Sequence, residues 1–315
     1  MYWFLRHILF LDHIPFIKPI IRLLYKRTSS SLERDVFGLH FKNPVGLAAG
    51  LNQDGQFTSE FADLGFGFVE IGSVTPLPQN GNTGQRFYKL PKDKGVIYFD
   101  GHANKGVKNL IENLKKSRPD TIIAANISKN EVSEGEKITK DYSYCFTMLY
   151  DFVDMFIITQ PDTTYLSEIM DDILETRLTL DVYKPVLIKV SPDMGHHQID
   201  EILNYAQLYG VDGIVAGSGT TKLENLLSSP KKLDSVGPGS LAGAPLFKEN
   251  LDLVKFINEE TKGRLPIIAC GGIMNGEQAK QMLDSGASLV EICSGLIYKG
   301  PGLPQKINKY LSQNA

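Results

Sequence analysis

Two glycine-bearing corners near the C-terminus carry the clearest chemical signal in this chain. The first is Cys270-Gly271-Gly272-Ile273 and the second is Cys293-Ser294-Gly295, each closing a short apolar run. Glycine lets backbone N–H groups approach an anion, and a short helix starting there adds a favourable dipole. One such corner is ordinary turn chemistry; two on consecutive runs predict a phosphate site. Earlier in the chain, Leu47-Ala48-Ala49-Gly50 ends another apolar run with side chains small enough to admit a flat ring against the backbone. Lys189 interrupts the run VLIKVS. A lysine inside a buried strand is costly unless paired, so it is expected to face a polar group, the alternative being a side chain that snorkels from the strand end.

These residues need a scaffold that brings distant segments to one face. Eight short β-rich runs begin near Pro44, Gly67, Ile122, Val153, Pro185, Val211, Pro266 and Ser288. Helical patterns lie between them, over Phe57–Leu64, Val107–Lys116, Asp141–Tyr150, Ser167–Asp181, His197–Tyr209, Leu246–Thr261 and Gly276–Ser285. Continuous apolar strands alternating with helices indicate a parallel sheet buried on both faces. Eight units predict an α/β fold, the closed (β/α)₈ TIM barrel. Phosphate commonly sits after the seventh and eighth strands of that fold, where both glycine corners fall. Two long intervals, 75–121 and 219–243, follow strand C-terminal ends, the face where barrels carry their active sites and lids.

Apolar residues make up 42% of the chain and charged residues 22%, which excludes a disordered chain. A net charge of −3 and the lack of a basic, aromatic-interleaved stripe in the body argue against a nucleic-acid partner. Cys145, Cys270 and Cys293 form no CxxC pair, which fits a reducing compartment. His196 and His197 follow Ser191-Pro192-Asp193 with no cysteine or carboxylate cluster at ligand spacing, so they read as a solvated helix face and no metal site is expected.

Residues 1–30 differ from the barrel region 31–315. Over 1–27, Arg6, Lys18, Arg22, Lys26 and Arg27 stand against Asp12, a local charge of +4. The apolar runs are too short to span a bilayer and are broken by Asp12, Pro15 and Pro19. Two amphipathic helices are expected, over roughly 2–11 and 16–27, with Trp3, Phe4, Phe10 and Phe16 beside basic residues. That composition suits a segment lying in a membrane interface, the alternative being a helical lid packed on the barrel.

The motifs VFGLHFKNPVGLAAG, LGFGFVEIGSVTPLPQNGN, AANISKN, VLIKVSPD, LAGAPL and GGIMNGEQAKQMLDSGASLVEICSGLIYKGP occur in this order over about residues 30–305. They resemble the quinone-linked, membrane-associated dihydroorotate dehydrogenases. The resemblance implies FMN as cofactor, held by Ala48, Ala49, Gly50, Ser73, Asn126, Lys189, Gly217, Gly243, Gly271, Gly272, Cys293, Ser294 and Gly295. Lys189 would then face the edge of the flavin that gathers negative charge on reduction. It also implies a quinone acceptor near Arg86, membrane association through residues 1–27, and a place in the cytoplasm on the inner face of the cell membrane.

The substrate half departs from the family pattern. Where the family has FDKNG, this chain has Leu51-Asn52-Gln53-Asp54-Gly55, so Gln53 replaces a lysine. NRMGFNN becomes Tyr98-Phe99-Asp100-Gly101-His102-Ala103-Asn104, with Tyr98 in place of an asparagine that holds the substrate. NISSPNTPG becomes a segment starting at Ile157, with Gln160 at the serine base position and Ile157 and Asp162 for its flanking asparagines. TNTT becomes Gly217-Ser218-Gly219-Thr220, which leaves Ser218 and Thr220 as substrate contacts. Cys293 replaces a tyrosine. In that family a base takes a proton from the substrate's C5 while a hydride leaves C6. An amide cannot serve as that base. His102 is the best placed on pKa grounds among Asp54, Asp100, His102 and Asp162, and a slip of the alignment after the fourth strand would offer Thr159 or Thr163 instead. The expectation is an FMN-dependent oxidoreductase of dihydroorotate dehydrogenase type, involved in pyrimidine biosynthesis or acting on a different small-molecule substrate. The alternative is a non-catalytic FMN-binding paralogue serving as a binding or regulatory module.

Overall fold

The computed structural model describes all residues except 1–6, 8, 13, 15, 27–28, 84–86, 100, 117–118, 160–162, 238 and 315. Eight parallel strands close into a barrel: β1 Val45–Leu47, β2 Phe68–Val74, β3 Ile122–Ile127, β4 Met155–Thr159, β5 Val186–Val190, β6 Gly213–Ala216, β7 Ile267–Cys270 and β8 Leu289–Ile292. Strand β8 closes on β1 through Val290↔Val45, Glu291↔Gly46 and Ile292↔Leu47. All eight runs read from the sequence became barrel strands.

Alternation along each strand divides the core in two. Outward residues such as Val69, Ile71, Ile188, Val290 and Ile292 pack under the helices, while inward residues such as Phe68, Ala124, Ile157, Leu187, Val215, Ile268 and Leu289 fill the barrel. The next inward positions towards the C-terminal end are Ala48, Glu70, Asn126, Thr159, Lys189, Cys270 and Glu291. The barrel is therefore apolar through its middle and polar in its top layer. At the other end, the antiparallel hairpin Arg34–Val36 and Leu39–Phe41 forms the plug, with Phe41 edge-on to Phe68 at 5.5 Å. Space is tight there: a Cβ at Gly46 would come within 2.1 Å of the Phe68 ring.

The helices follow the expected pattern with one shift. The helix expected from Asp141 starts five residues earlier, at Glu136, after Gly135 at φ 56°. The apolar period weakens across Glu136–Lys140, and the glycine supplies the turn that starts the helix. The two long intervals meet. Strands Phe87–Leu90 and Gly95–Tyr98 from the first pair with Ser240–Gly243 from the second in an antiparallel sheet over the barrel mouth. Neither insertion shows that pairing in its own sequence.

Of the N-terminal segment, residues 9–12 are helical and a further helix runs Lys18–Tyr25. The expected helix boundaries at residues 2–6 and 27 lie outside the described residues. Leu9 and Ile21 join the main core, whereas Phe16 is 87% and Leu23 79% exposed. Arg22 holds Asp63 at 2.7 Å, and Lys18 lies 3.2 Å from Asp63 and 3.6 Å from Asp12. Burial, then the charge of Asp63, push the Asp12 carboxyl up from 3.8 to about 6. Such a group binds its proton more tightly docked than free. The docked segment should therefore gain stability as pH falls through about 6, with no further gain below about 3.8. Amide exchange over 18–25, corrected for intrinsic rates, should show greater protection at about pH 5 than at about pH 7.5. Unchanged or weaker protection at the lower pH would contradict this.

Candidate active site

A cavity of about 890 Å³ opens at the C-terminal face between the top layer and the sheet over the mouth. That volume suits a cofactor-sized ligand. Its floor is set by the polar top layer. Lys189 Nζ lies 3.0 and 2.8 Å from the two carboxylate oxygens of Glu70. Glu70 also accepts from Ala49 N at 2.7 Å and Asn126 Nδ2 at 2.6 Å. Burial alone would raise the Glu70 carboxyl, but the charge and hydrogen bonds of Lys189 outweigh it and hold the group below its ordinary value. Burial alone would likewise lower Lys189, and Glu70 more than reverses it. The result is a fixed cation on the cavity wall. From there Asn126 accepts a hydrogen bond from the Thr159 hydroxyl, which lies 3.4 Å from Ser73 Oγ.

Twelve of the residues expected to hold a cofactor line this one cavity: Ala48, Ala49, Gly50, Ser73, Asn126, Lys189, Gly243, Gly271, Gly272, Cys293, Ser294 and Gly295. Gly50 has φ 107°, and a Cβ there would meet no protein atom within 4 Å, so the backbone faces open space. Gly272 has φ 81°, and a Cβ would meet the Phe247 backbone at 2.4 Å, which explains why a bare backbone turns this corner. The thirteenth, Gly217, does not line the cavity. It packs against β7, where a Cβ would lie 2.1 Å from the Cys270 carbonyl oxygen.

The expected substrate residues divide. Gln53, Tyr98, His102 and Ser218 line the cavity. His102 sits on the flap at φ 51°, and its carbonyl accepts from Asn104 Nδ2 at 2.8 Å and Gln79 Nε2 at 3.2 Å. Ile157 does not line the cavity; it is fully buried in the apolar filling of the barrel, paired in register with Asn126 of the neighbouring strand. Thr220 also turns away: it bridges to Leu241 and gives its hydroxyl to Asp193, while its neighbour Thr221 lines the wall. Asp54 accepts from Lys105 N at 2.8 Å and anchors the flap from outside the cavity. Gln160, Asp162, Asp100 and Arg86 lie outside the described residues. Thr159 offers the one hydroxyl of β4, and that hydroxyl is donated to Asn126.

Sequence reasoning missed Glu70 and Glu291. The signal was available, since each interrupts an apolar strand (FVEIGSV and LVEI) as Lys189 does. The sheet over the mouth adds Phe87, Lys89 and Val96 to the wall, which depends on a pairing no local pattern reveals.

A profile of the family described as dihydroorotate dehydrogenase matches residues 31–314. The dihydroorotate dehydrogenase (quinone) of Christiangramia forsetii is 37% identical over 307 residues, covering 94% of this chain and 89% of that protein. The enzyme of the same description from Vibrio atlanticus is 38% identical over 306 residues, covering 92% and 90%. Among solved structures, DHODH of Eimeria tenella in complex with ferulenol superposes with a TM-score of 0.86 at 25% identity, covering 97% of this chain and 90% of that one. The barrel with its cation-centred cavity and the match across nearly the whole chain place this protein in the dihydroorotate dehydrogenase family, a family of flavin-dependent oxidoreductases.

Proposed function

We propose that this chain is an FMN-dependent dehydrogenase whose cofactor half is that of its family and whose substrate half is altered, so that dihydroorotate is a poor substrate. The observation that carries the reading is the Lys189–Glu70 pair at the cavity wall, with Gly271, Gly272, Ser294 and Gly295 lining the same cavity. The cavity fits FMN. The glycine corners offer backbone N–H groups to a phosphate, open space over Gly50 admits a flat ring, and Lys189 supplies a positive charge beside it. Bound there, the flavin supplies the hydride-accepting chemistry.

The chain's own residues then divide the work. Glu70 fixes the position and charge of Lys189. Asn126, Thr159 and Ser73 form a hydrogen-bonded line along the wall. Gln53, Tyr98, His102 and Ser218 provide the remaining polar surface for a small substrate. Ile157 contributes no polar atom, and a polar ring without its amide partners binds weakly. His102 is the proton acceptor this wall offers, at the flap. The expected acceptor of the electrons is a quinone, the acceptor in the relatives' name, reached at a membrane surface. Among the described residues no helix is long and apolar enough to cross a membrane. Phe10, Phe16, Ile20, Leu23 and Leu24 are exposed on a segment rich in basic residues, which supports attachment to the bilayer surface.

Two measurements check this. Protein purified without added cofactor should be yellow and release FMN, not FAD, on denaturation; a chain that stays colourless after incubation with FMN refutes the cofactor. The full chain should float with anionic liposomes while a chain beginning at Ser30 should not; equal flotation refutes the membrane role of residues 1–29.

A further inference from the structure

The top layer of the barrel holds two acids and one base, and their hydrogen bonds are unequally shared. Glu70 takes every donor: Ala49 N, Asn126 Nδ2 and both contacts from Lys189. Glu291 has none of these. It is 0% exposed, Lys189 Nζ lies 3.6 Å from its Oε2, and its carboxyl meets the Glu70 carboxyl and the Cys270 thiol. A second buried carboxylate against the first is among the costliest arrangements a core can hold, whereas a carboxylic acid is a donor itself and tolerates the site far better. Lys189 can neutralise only one of the two acids, and its contacts to Glu70 are the shorter.

We infer that Glu291 is the proton-carrying group of the cavity floor, an un-ionised carboxylic acid whose O–H is held against the Glu70 carboxylate and whose neutrality favours reduction of the ring system bound beside Lys189. The inference rests on the flavin reading above. It stands first on geometry. Glu291 points inward from β8, lines the cavity, and faces Glu70 from β2, Lys189 from β5 and Cys270 from β7. The Glu70 carboxyl beside it is the acceptor for its proton. Burial, then the neighbouring charge of Glu70, push the Glu291 carboxyl well above its ordinary value, with Lys189 only partly opposing them.

The consequence is electrostatic. With Glu291 un-ionised, the layer of Glu70, Lys189 and Glu291 is neutral and presents a cation to the bound ring. With Glu291 ionised, the same layer carries a net negative charge and opposes the negative charge that accumulates on reduction. Glu291 would thus be a positioning residue for the reduced state: it favours reduction while it keeps its proton.

Infrared spectroscopy tests the protonation state directly. At neutral pH the wild-type protein should show the carbonyl stretch of an un-ionised carboxylic acid, shifted by deuterium exchange and missing in Glu291→Gln. A difference spectrum in which Glu291→Gln instead loses a carboxylate band overturns the inference. The midpoint potential of bound FMN, measured by anaerobic dye-coupled titration, tests the electrostatic role. Glu291→Gln is neutral at every pH and should stay near the wild-type value at neutral pH. A potential that rises in Glu291→Gln shows that the wild-type group is ionised and overturns the role. A preparation that shows the acid band but binds no FMN refutes the flavin reading and leaves the proton assignment intact.

Discussion

Lys189→Ala should give a colourless protein that is about 3–5 kcal/mol less stable than the wild type, the usual cost of stranding one member of a buried ion pair. The alanine leaves Glu70 fully buried beside Glu291, with Ala49 N and Asn126 as its remaining donors. The sign of the pH dependence follows. Lys189 is what keeps the Glu70 carboxyl below its ordinary value against the opposing effect of burial. Without the lysine, burial favours the protonated acid, so the folded variant binds a proton that the unfolded chain binds less tightly. The stability deficit should therefore shrink as pH falls. Urea denaturation across pH, together with flavin absorbance, reads both effects. A variant that keeps its colour and its urea midpoint would show that neither cofactor binding nor the barrel top depends on this pair.

Much of this architecture was legible because the signals are local. Each barrel strand is a short apolar run bounded by turn residues, and each starts within two residues of its expected position. The small-residue side of the cavity was legible for the same reason: Ala48-Ala49-Gly50, Gly271-Gly272 and Ser294-Gly295 sit at strand ends whose direction follows from the fold. What was not legible depends on pairing between distant segments. The partner of Lys189 lies 119 residues away in Glu70. The cavity roof needs Gly95–Tyr98 to meet Ser240–Gly243. Thr220 looks like a cavity residue by position, but its hydroxyl is drawn off by Asp193, 27 residues earlier. Gly217 has the left-handed backbone of a ligand-cradling glycine, yet its missing side chain makes room for the Cys270 carbonyl oxygen. Ile157 shows the difference most plainly. Read against the family motif it occupies a substrate position, while in the fold it completes the apolar filling of the barrel.

The second large effect concerns turnover. Loss of a positioned base typically costs about 10²–10⁴-fold in rate. On the motif resemblance Gln160 takes the family's base position, and the hydroxyl of Thr159 is already donated to Asn126. Gln160→Ser should raise the rate with dihydroorotate only in part, because Tyr98 and Ile157 still stand in place of orienting amides. The most direct measurement is anaerobic rapid mixing of the flavin-loaded full chain with dihydroorotate, following loss of the oxidised flavin's absorbance. The account predicts bleaching slower by about 10²–10⁴-fold than ordinary enzyme turnover of roughly 1–10³ per second. Bleaching within that ordinary range would contradict it and would make dihydroorotate a good substrate.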